Sequence, residues 1–424
     1  MRASLIATLI GMLGVTGCGG GGSSVPASGG SGGGGGGTSG SNVQPVMVDS
    51  GPAAIANSTS PAVNTLYTTV TVCAPGSTSN CQAIDHIQVD TGSSGLRIIS
   101  SVLGVTLPMR KDTSGNVIAE CVKFVDGSSW GTIRQADIKI AGEVASALSV
   151  QVIGDATYQI PSACAGTGKT EDTVAAFGAN GILGVGPFIQ DCGSSCTVQG
   201  GGIYYTCTSS TACADTGMPL AMQVTNPVAA FAVDHQGVII QLPAVSSTDA
   251  GPVNGSLIFG IGTQTNNGLG SAQVLTLNAN GELGTNYKAS QLTRSVIDSG
   301  SNAFYFPDAS INVCGQSTAA PGFYCPLSGT LALTATMVGV NGTSAAIDFS
   351  VANADSLFKS GARIAAAVAL AGSSAGLAPP TAGSTFDGSN TFDWGLPFYF
   401  GRTVYTVIEN ENTTGGGVGP YFAF

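Results

Sequence analysis

Apolar residues along most of the chain come in short runs that end at turn residues. Runs such as LYTTVTVCA, SALSVQVIG, HQGVIIQLP and TLALTATMVGV are rich in Val, Ile, Thr and Tyr, and Gly, Asn, Ser or Pro separate them. This pattern is typical of β-strands joined by tight turns. The best helix candidate is DSLFKSGARIAAAVALAG, whose Ala-rich part can equally be an irregular loop. The chain is therefore predicted to be all-β.

The amino-terminal residues depart from this pattern. A basic start is followed by the apolar run SLIATLIGMLGV and by TGC, as in a secretory signal. The run is too short for a transmembrane helix. Cys18 stands where bacterial lipoproteins carry their acylated cysteine, although an ordinary signal peptide with a chance cysteine is the alternative. We predict a lipoprotein signal peptide over residues 1–18.

A Gly/Ser-rich segment follows, and such a composition cannot bury apolar surface. We assign residues 19–58 to a flexible tether. The roughly 370 residues beyond the Gly/Ser-rich segment exceed what one core usually serves, so we predict an N-terminal β lobe over 59–248 and a C-terminal β lobe over 249–424. Gly19, directly after Cys18, resembles the residue pattern of lipoproteins that leave the inner membrane. The expected location is the bacterial cell envelope, on the outer rather than the inner membrane, facing the periplasm or the cell surface.

The cysteine count predicts a disulfide framework. The chain has 11 Cys, and acylation of Cys18 would leave an even set for pairing in an oxidising compartment. The neighbours in sequence are Cys73 with Cys81, Cys192 with Cys196, Cys207 with Cys213, and Cys314 with Cys325; Cys121 and Cys164 remain and can pair with each other. There is no CxxC pair, and neither His86 nor His235 is near a Cys cluster. We therefore expect no metal site and no cofactor.

Two stretches repeat one unusual sequence. IQVDTGSSGLRII around Asp90 and VIDSGSNAFYFP around Asp298 both run from apolar residues through Asp, a small hydroxyl residue, Gly and another small hydroxyl residue. Two such corners suggest two lobes that contribute one corner each. If the corners face each other, their carboxylates share a proton, and one can act as general base on a water while the other donates a proton. Two structural turns at strand ends are the alternative.

The corners resemble the two active-site loops of the pepsin-like aspartic proteases. NGILGVGP is similar to the segment behind the first loop, FDWGLPFYFGRTVYTVIEN to its carboxyl-terminal counterpart, and NGSLIFGIGTQ to the strand that opens the second lobe. The resemblance extends over most of the chain. It implies an all-β, bilobal pepsin-like fold with an inter-lobe cleft, and a lipid-anchored aspartic endopeptidase.

The resemblance also assigns roles to individual residues. Asp90 and Asp298 would be the catalytic dyad. The residues that would support the two loops are Thr91, Gly92, Ser93, Ser299, Gly300, Ser301, Gly184 and Gly395. The hairpin KFVDGSSWGTIRQADIKI would be the flap, and Phe124, Asp126, Gly127 and Trp130 would face the substrate, although simple packing is the alternative for Trp130.

Three positions depart from that family pattern. Phe124 replaces the usual flap Tyr, and Arg97 replaces the Trp that usually bonds it, so the flap lacks its customary anchor. Asp393 occupies the first of two apolar positions before Gly395, where a buried charge is costly. We favour a solvent-exposed turn there; the alternatives are a segment shifted by a residue or two, or a buried Asp393 with a polar partner. These departures keep two alternatives open: an inactive binding lipoprotein that holds a peptide or glycan in the cleft, and a purely structural envelope protein.

Charge narrows the range of partners. The chain has 13 Lys and Arg against 24 Asp and Glu, for a net charge of −11, and no basic patch is visible. Nucleic acid is therefore excluded as an expected partner. We expect a peptide or protein substrate, contact with the membrane through the N-terminal lipid only, and a monomer.

Overall fold

The computed structural model describes residues 42–58, 60–124, 127–165, 169–245, 251–359, 364–375 and 388–424. The predicted signal peptide, Cys18, residues 19–41 of the tether, Asp126 and the predicted lobe boundary lie outside them. Strand makes up 43 % of the structure and helix 10 %, which confirms the all-β prediction. No helix among the described residues is long and apolar enough to cross a membrane.

The strands of the described residues are β1 Val43–Val48, β2 Leu66–Cys73, β3 Cys81–Asp90, β4 Ser94–Ile99, β5 Val117–Lys123, β6 Gly127–Ile140, β7 Glu143–Ile153, β8 Lys169–Thr170, β9 Gly181–Val185, β10 Tyr204–Ser209, β11 Ala212–Asp215, β12 Gly237–Gln241, β13 Val253–Phe259, β14 Val274–Thr276, β15 Leu283–Tyr287, β16 Ser290–Ile297, β17 Phe304–Phe306, β18 Leu331–Val338, β19 Ser344–Val351, β20 Ala371–Ser373, β21 Asp393–Trp394, β22 Thr403–Val407, β23 Asn412–Thr413, β24 Gly417–Val418 and β25 Tyr421–Ala423. The α-helices are α1 Ala53–Ala56, α2 Ser162–Ala165, α3 Val174–Phe177 and α4 Ala354–Lys359, and short 3₁₀ turns cover Ser100–Val102, Gly193–Cys196, Leu220–Met222, Val228–Ala230, Gly388–Asn390 and Leu396–Phe398.

Strand β1 corrects the predicted tether. It lies within the segment 19–58, yet it pairs antiparallel with β13 along its whole length, from Val43 opposite Ile258 to Val48 opposite Val253. Val46 and Val48 are buried because the strand turns alternate side chains into the core. Helix α1 also falls inside the predicted tether. The folded part therefore begins before residue 59.

Most strands belong to two sheets. The larger has 16 strands and follows the order β11–β10–β5–β6–β7–β4–β9–β3–β2–β1–β13–β12–β22–β25–β14, with β8 beside β6. The smaller has seven strands in the order β19–β18–β15–β16–β21–β17–β20. Strands from both ends of the chain belong to the same part of the larger sheet, because β1 lies beside β13, β13 beside β12, and β12 beside β22.

The same four-strand arrangement occurs once in each half of the chain. In the first half, β3 runs parallel to β9, β9 antiparallel to β4, and β4 parallel to β7. In the second half, β16 runs parallel to β21, β21 antiparallel to β17, and β17 parallel to β20. Asp90 ends β3 and Asp298 directly follows β16. The two corners therefore occupy equivalent positions in two equivalent units.

The predicted disulfide framework is confirmed. The five pairs are Cys73–Cys81, Cys121–Cys164, Cys192–Cys196, Cys207–Cys213 and Cys314–Cys325. Four of them close short loops. Cys121–Cys164 instead ties strand β5 to helix α2 across 43 residues of sequence.

Candidate active site

The two Asp corners lie face to face. Asp90 and Asp298 are both fully buried, and their carboxyl groups lie next to each other, since atoms of both approach the same point beside Gly300. A Cβ atom built on Gly92 would lie 2.6 Å from Asp298 Cγ, and one built on Gly300 would collide with Asp90 Oδ1. Only glycine lets each corner approach the carboxylate of the other this closely, which is the physical reason for Gly at both positions.

Reciprocal hydrogen bonds hold the corners together. The Thr91 N–H donates to Ser299 Oγ at 3.1 Å, and the Ser299 N–H donates to Thr91 Oγ1 at 2.9 Å. Each hydroxyl in turn donates to a carbonyl of the opposite corner: Thr91 to Ile297 at 3.1 Å, and Ser299 to Val89 at 2.9 Å. All these groups are buried, so the network fixes the separation of the two carboxyl groups.

Each carboxylate also has matching support within its own corner. Asp90 Oδ1 accepts the Gly92 N–H at 2.7 Å, and Asp90 Oδ2 accepts the Ser93 hydroxyl. Asp298 Oδ1 accepts the Gly300 N–H at 2.7 Å, and Asp298 Oδ2 accepts the Ser301 hydroxyl at 3.1 Å. The structure thus brings together the two Asp residues and the six loop residues that the sequence selected.

Burial raises the pKa of both carboxyls. For Asp90, hydrogen bonds from Asp298, Ser93 and Gly92 oppose this rise. The pKa of Asp298 is raised well above its usual range, first by burial and then by the charge of Asp90. Because two adjacent carboxylates resist double ionisation, the pair is expected to titrate as a unit that keeps one proton, and the higher pKa of Asp298 favours that residue as the protonated member.

Two glycines stand behind the corners. A Cβ atom on Gly184 of β9 would meet the backbone of Ser94 at 2.7 Å, and one on Gly395 would meet the carbonyl oxygen of Ser301 at 2.7 Å. Both positions therefore need the small residue that the sequence comparison assigned to them.

Sequence reasoning missed two groups that brace the corners. The Gln88 side chain donates to the Gly300 carbonyl at 2.9 Å, and the Tyr399 hydroxyl lies 2.8 Å from Thr91 Oγ1. Gln88 precedes Asp90 by two residues in β3, so strand alternation could have placed both side chains on one face. Nothing in the sequence around Tyr399 indicated its contact with a residue 308 positions away.

The predicted flap is the hairpin of β5 and β6. Phe124 at its end is buried and packs edge-to-face against Phe177. Gly127 begins β6 opposite Lys169 of β8. Trp130 is buried beside Tyr205, with its indole N–H bonded to the Tyr158 carbonyl at 3.1 Å, which favours the packing alternative for that residue.

Arg97 belongs to a buried ionic cluster that joins the first corner to strand β5 of the predicted flap. Its guanidinium donates to Glu120 of β5 and to Asp191, both at 3.0 Å, and to the Ser94 carbonyl at 2.9 Å. Burial lowers the pKa of Arg97, but Glu120 and Asp191 outweigh burial and raise it. Tyr204 also donates to Asp191, at 2.7 Å. The sequence predicted that the usual aromatic anchor of this hairpin is absent. The ionic cluster connects Arg97 to strand β5 in its place.

Asp393 does not lie in a solvent-exposed turn, and that prediction was wrong. It is 1 % exposed, in β21, between Val296 of β16 and Tyr305 of β17. The two flanking strands, β16 and β17, exclude water from Asp393. The local sequence gives no sign that these strands cover it. Its Oδ2 atom contacts the Ser301 hydroxyl, so the polar partner is a residue of the second corner.

The hydrogen bonds between the corners predict a measurable loss. Replacing Ser299 by Ala removes the acceptor for the Thr91 N–H and the donor to the Val89 carbonyl. Leaving buried polar groups unpaired is expected to reduce the free energy of unfolding by about 1–3 kcal/mol. Denaturant titration measures it. Ser146→Ala at an exposed position of β7 should change stability by less than about 0.5 kcal/mol, and an equally small effect of Ser299→Ala would contradict the bracing role.

With this geometry established, comparison with known proteins places the chain in a family but gives it no activity. Residues 38–424 match the family described as "Protein of unknown function (DUF3443)". The match includes both corners and all described residues, so the chain belongs to this family. No curated protein matches the chain.

Proposed function

We propose that the protein is an aspartic-type endopeptidase in which Asp90 and Asp298 activate a water molecule against a peptide bond. The observation that carries this proposal is the reciprocal bonding of two equivalent corners around two adjacent buried carboxyls. Such a pair offers a base and an acid at one point, which is what direct hydrolysis of an amide requires.

The roles follow from the proton that the pair shares. The Asp90 carboxylate takes a proton from the water as its oxygen attacks the scissile carbonyl carbon, and Asp298 gives its proton to the carbonyl oxygen. In the second step the tetrahedral carbon expels the amine, which takes the proton from Asp90, while one hydroxyl of the tetrahedral carbon returns its proton to Asp298; the products are a carboxylic acid and an amine. Thr91 and Ser299 keep the two carboxyls in place throughout.

The proposal includes a bilobal pepsin-like fold with a cleft between the lobes. Two features support it: the repeated four-strand units that present the corners, and the group β1, β13, β12, β22 and β25, in which strands from distant parts of the chain lie side by side. An extended peptide is the substrate that such a cleft would accept.

We also propose an envelope location with a lipid anchor on Cys18. The five disulfides support an oxidising compartment, where such bonds form and persist. Metabolic labelling with a fatty-acid analogue tests the anchor: label on the wild type and none on Cys18→Ser is the expected result, and equal label on both would contradict it.

A cleavage assay tests the proposed activity. A quenched peptide library incubated from pH 3 to 7 should show cleavage, and a peptide analogue with a secondary alcohol in place of the scissile amide should block it, because the alcohol mimics the tetrahedral intermediate. Absence of cleavage at every pH, or cleavage that the analogue leaves unchanged, would overturn the proposal.

A binding protein on the same fold is the second candidate. The burial of Phe124 against Phe177 favours it, because a flap that ends in Phe has no hydroxyl to offer a substrate. In that case the alcohol analogue and ordinary peptides would bind with similar affinity and no peptide would be cut. Calorimetric titration with matched peptide and analogue separates the two candidates.

A further inference from the structure

A third carboxyl group joins the two corners. Ser301 Oγ lies 3.1 Å from Asp298 Oδ2 and within hydrogen-bonding distance of Asp393 Oδ2. A serine hydroxyl has a single hydrogen, which it can give fully to only one of these oxygens. The other contact needs a hydrogen on one of the carboxyl groups, so either Asp298 or Asp393 is protonated toward Ser301.

The surroundings of Asp393 decide between these two arrangements. Its Oδ1 atom is buried and has no hydrogen-bond partner among the described residues. An ionised carboxylate with a bare buried oxygen is far more costly than a neutral acid. Asp298 also faces Asp90, and the proton that this pair retains is expected to be shared between those two carboxyls.

The charges around Asp393 favour the same assignment. The titratable groups that face it are the carboxyls of Asp90 and Asp298 and the hydroxyl of Tyr399. On the flanking strands, Arg294 of β16 pairs with Glu282, and the Tyr305 hydroxyl of β17 bonds to Asn302. In the part of the chain that the structure describes, no cation pairs with Asp393, and burial raises the pKa of its carboxyl well above the usual range.

We infer that Asp393 is a neutral carboxylic acid that donates to Ser301 Oγ and thereby makes the Ser301 hydroxyl donate to Asp298. Asp393 is thus a positioning residue that acts on the dyad through Ser301. The inference deepens the proposed function and, for its effect on catalysis, rests on it. Ionisation of Asp393 would turn the Ser301 hydroxyl toward Asp393 and withdraw it from Asp298, so Asp393 takes part in setting the upper pH limit of the site.

Infrared spectroscopy tests the protonation without any assay of activity. At pH 6, the carbonyl band of unionised carboxylic acids should be weaker in Asp393→Asn than in the wild type by the contribution of one group, while the contribution of the protonated Asp90–Asp298 pair should remain. Unfolding should release about one proton fewer in Asp393→Asn than in the wild type, because an unfolded Asp with a pKa of about 3.9 gives up its proton at this pH. Calorimetry in buffers of different ionisation enthalpy measures that release.

Matched variants keep the test decisive. Asp348→Asn, at an exposed carboxylate of β19 bonded to Thr334, should change neither the infrared band nor the proton release. Asp393→Leu fills the buried site without an ionisable group and should lose the same part of the band, so it serves if the Asn variant does not fold. An acid-band intensity and a proton release equal to those of the wild type in a folded Asp393 variant would overturn the inference.

A second measurement examines the link to the dyad. If the wild type cleaves peptides, Asp393→Asn should move the alkaline limb of kcat/KM to higher pH, because an amide can donate to Ser301 at every pH. An unmoved limb would overturn the link. If the wild type cleaves nothing, the proposed function fails, while the infrared band still decides whether Asp393 is protonated.

Discussion

Replacing either Asp90 or Asp298 by Asn is expected to lower kcat/KM for peptide hydrolysis by about 10²–10⁴-fold, the usual contribution of a positioned acid or base. Asn has nearly the shape of Asp, and its side-chain oxygen can still accept the N–H of Gly92 or Gly300, so the corners should keep their geometry. What disappears is the shared proton. Initial rates on the best peptide from the library measure the loss.

The pH profile gives this prediction a second signature. In the proposed mechanism only the singly protonated pair is active, so kcat/KM should follow a bell-shaped curve. The pKa of Asp90 is raised from 3.8 and that of Asp298 is raised further, which puts the acid limb above the pKa of an ordinary Asp and the alkaline limb higher still. Either Asn variant should flatten the curve.

The control is Asp348→Asn, which changes an exposed Asp outside both corners in the same way. It should retain the rate and the pH profile of the wild type. Equal turnover by the wild type and by both dyad variants would show that any cleavage comes from elsewhere, and the endopeptidase proposal would then fail even though the corners adopt the geometry described.

Local sequence patterns predicted the parts of the fold and site that depend on near neighbours. The Asp–hydroxyl–Gly–hydroxyl corners, the strand runs and four of the disulfides could be read from residues within a few positions of one another. The fifth disulfide, Cys121–Cys164, was assigned by elimination. These features are fixed by backbone turns and short loops, which the sequence encodes directly.

Contacts between distant residues escaped prediction because they depend on how whole strands are covered. Asp393 is buried by β16 and β17, and nothing in FDWGLPF shows that both strands flank it. Strand β1 follows a Gly-rich segment, but its partner β13 lies more than two hundred residues further along the chain. The sequence around Arg97 shows only that it replaces the usual Trp. Its partners Glu120 and Asp191 are 23 and 94 positions away, so the ionic cluster could not be predicted.

Replacing Arg97 by Met is expected to lower the free energy of unfolding by about 3–5 kcal/mol, the usual cost of removing one partner from a buried ion pair. Arg97 and Glu120 are almost completely buried, and Asp191 is 6 % exposed. Without the guanidinium, two carboxyl groups would remain together in the interior. One Glu120 oxygen already has no hydrogen-bond partner among the described residues, so little compensation is at hand.

The pH dependence of this loss separates an electrostatic cause from a packing cause. In the Met variant, the loss of the guanidinium would leave burial to raise the pKa of Glu120 further above its value of about 4 in the unfolded chain. A group with a raised pKa binds more protons in the folded state, so the variant loses stability as pH rises above about 4. The deficit relative to the wild type should therefore be smaller at pH 4 than at pH 7, whereas a pure packing defect would be equal at both.

Arg110→Met is the matched control, because the half-buried Arg110 guanidinium donates to the Ala221 carbonyl and pairs with no carboxylate that the structure describes. It should cost about 1 kcal/mol or less. The double variant Arg97→Met/Glu120→Met should be less destabilised than the sum of the two single variants. Once Arg97 is absent, removing Glu120 takes away a buried carboxyl group that has lost its cation. Strict additivity, together with a pH-independent deficit, would mean that Arg97 supports β5 by packing alone, and the flap would then lack the ionic anchor described for it.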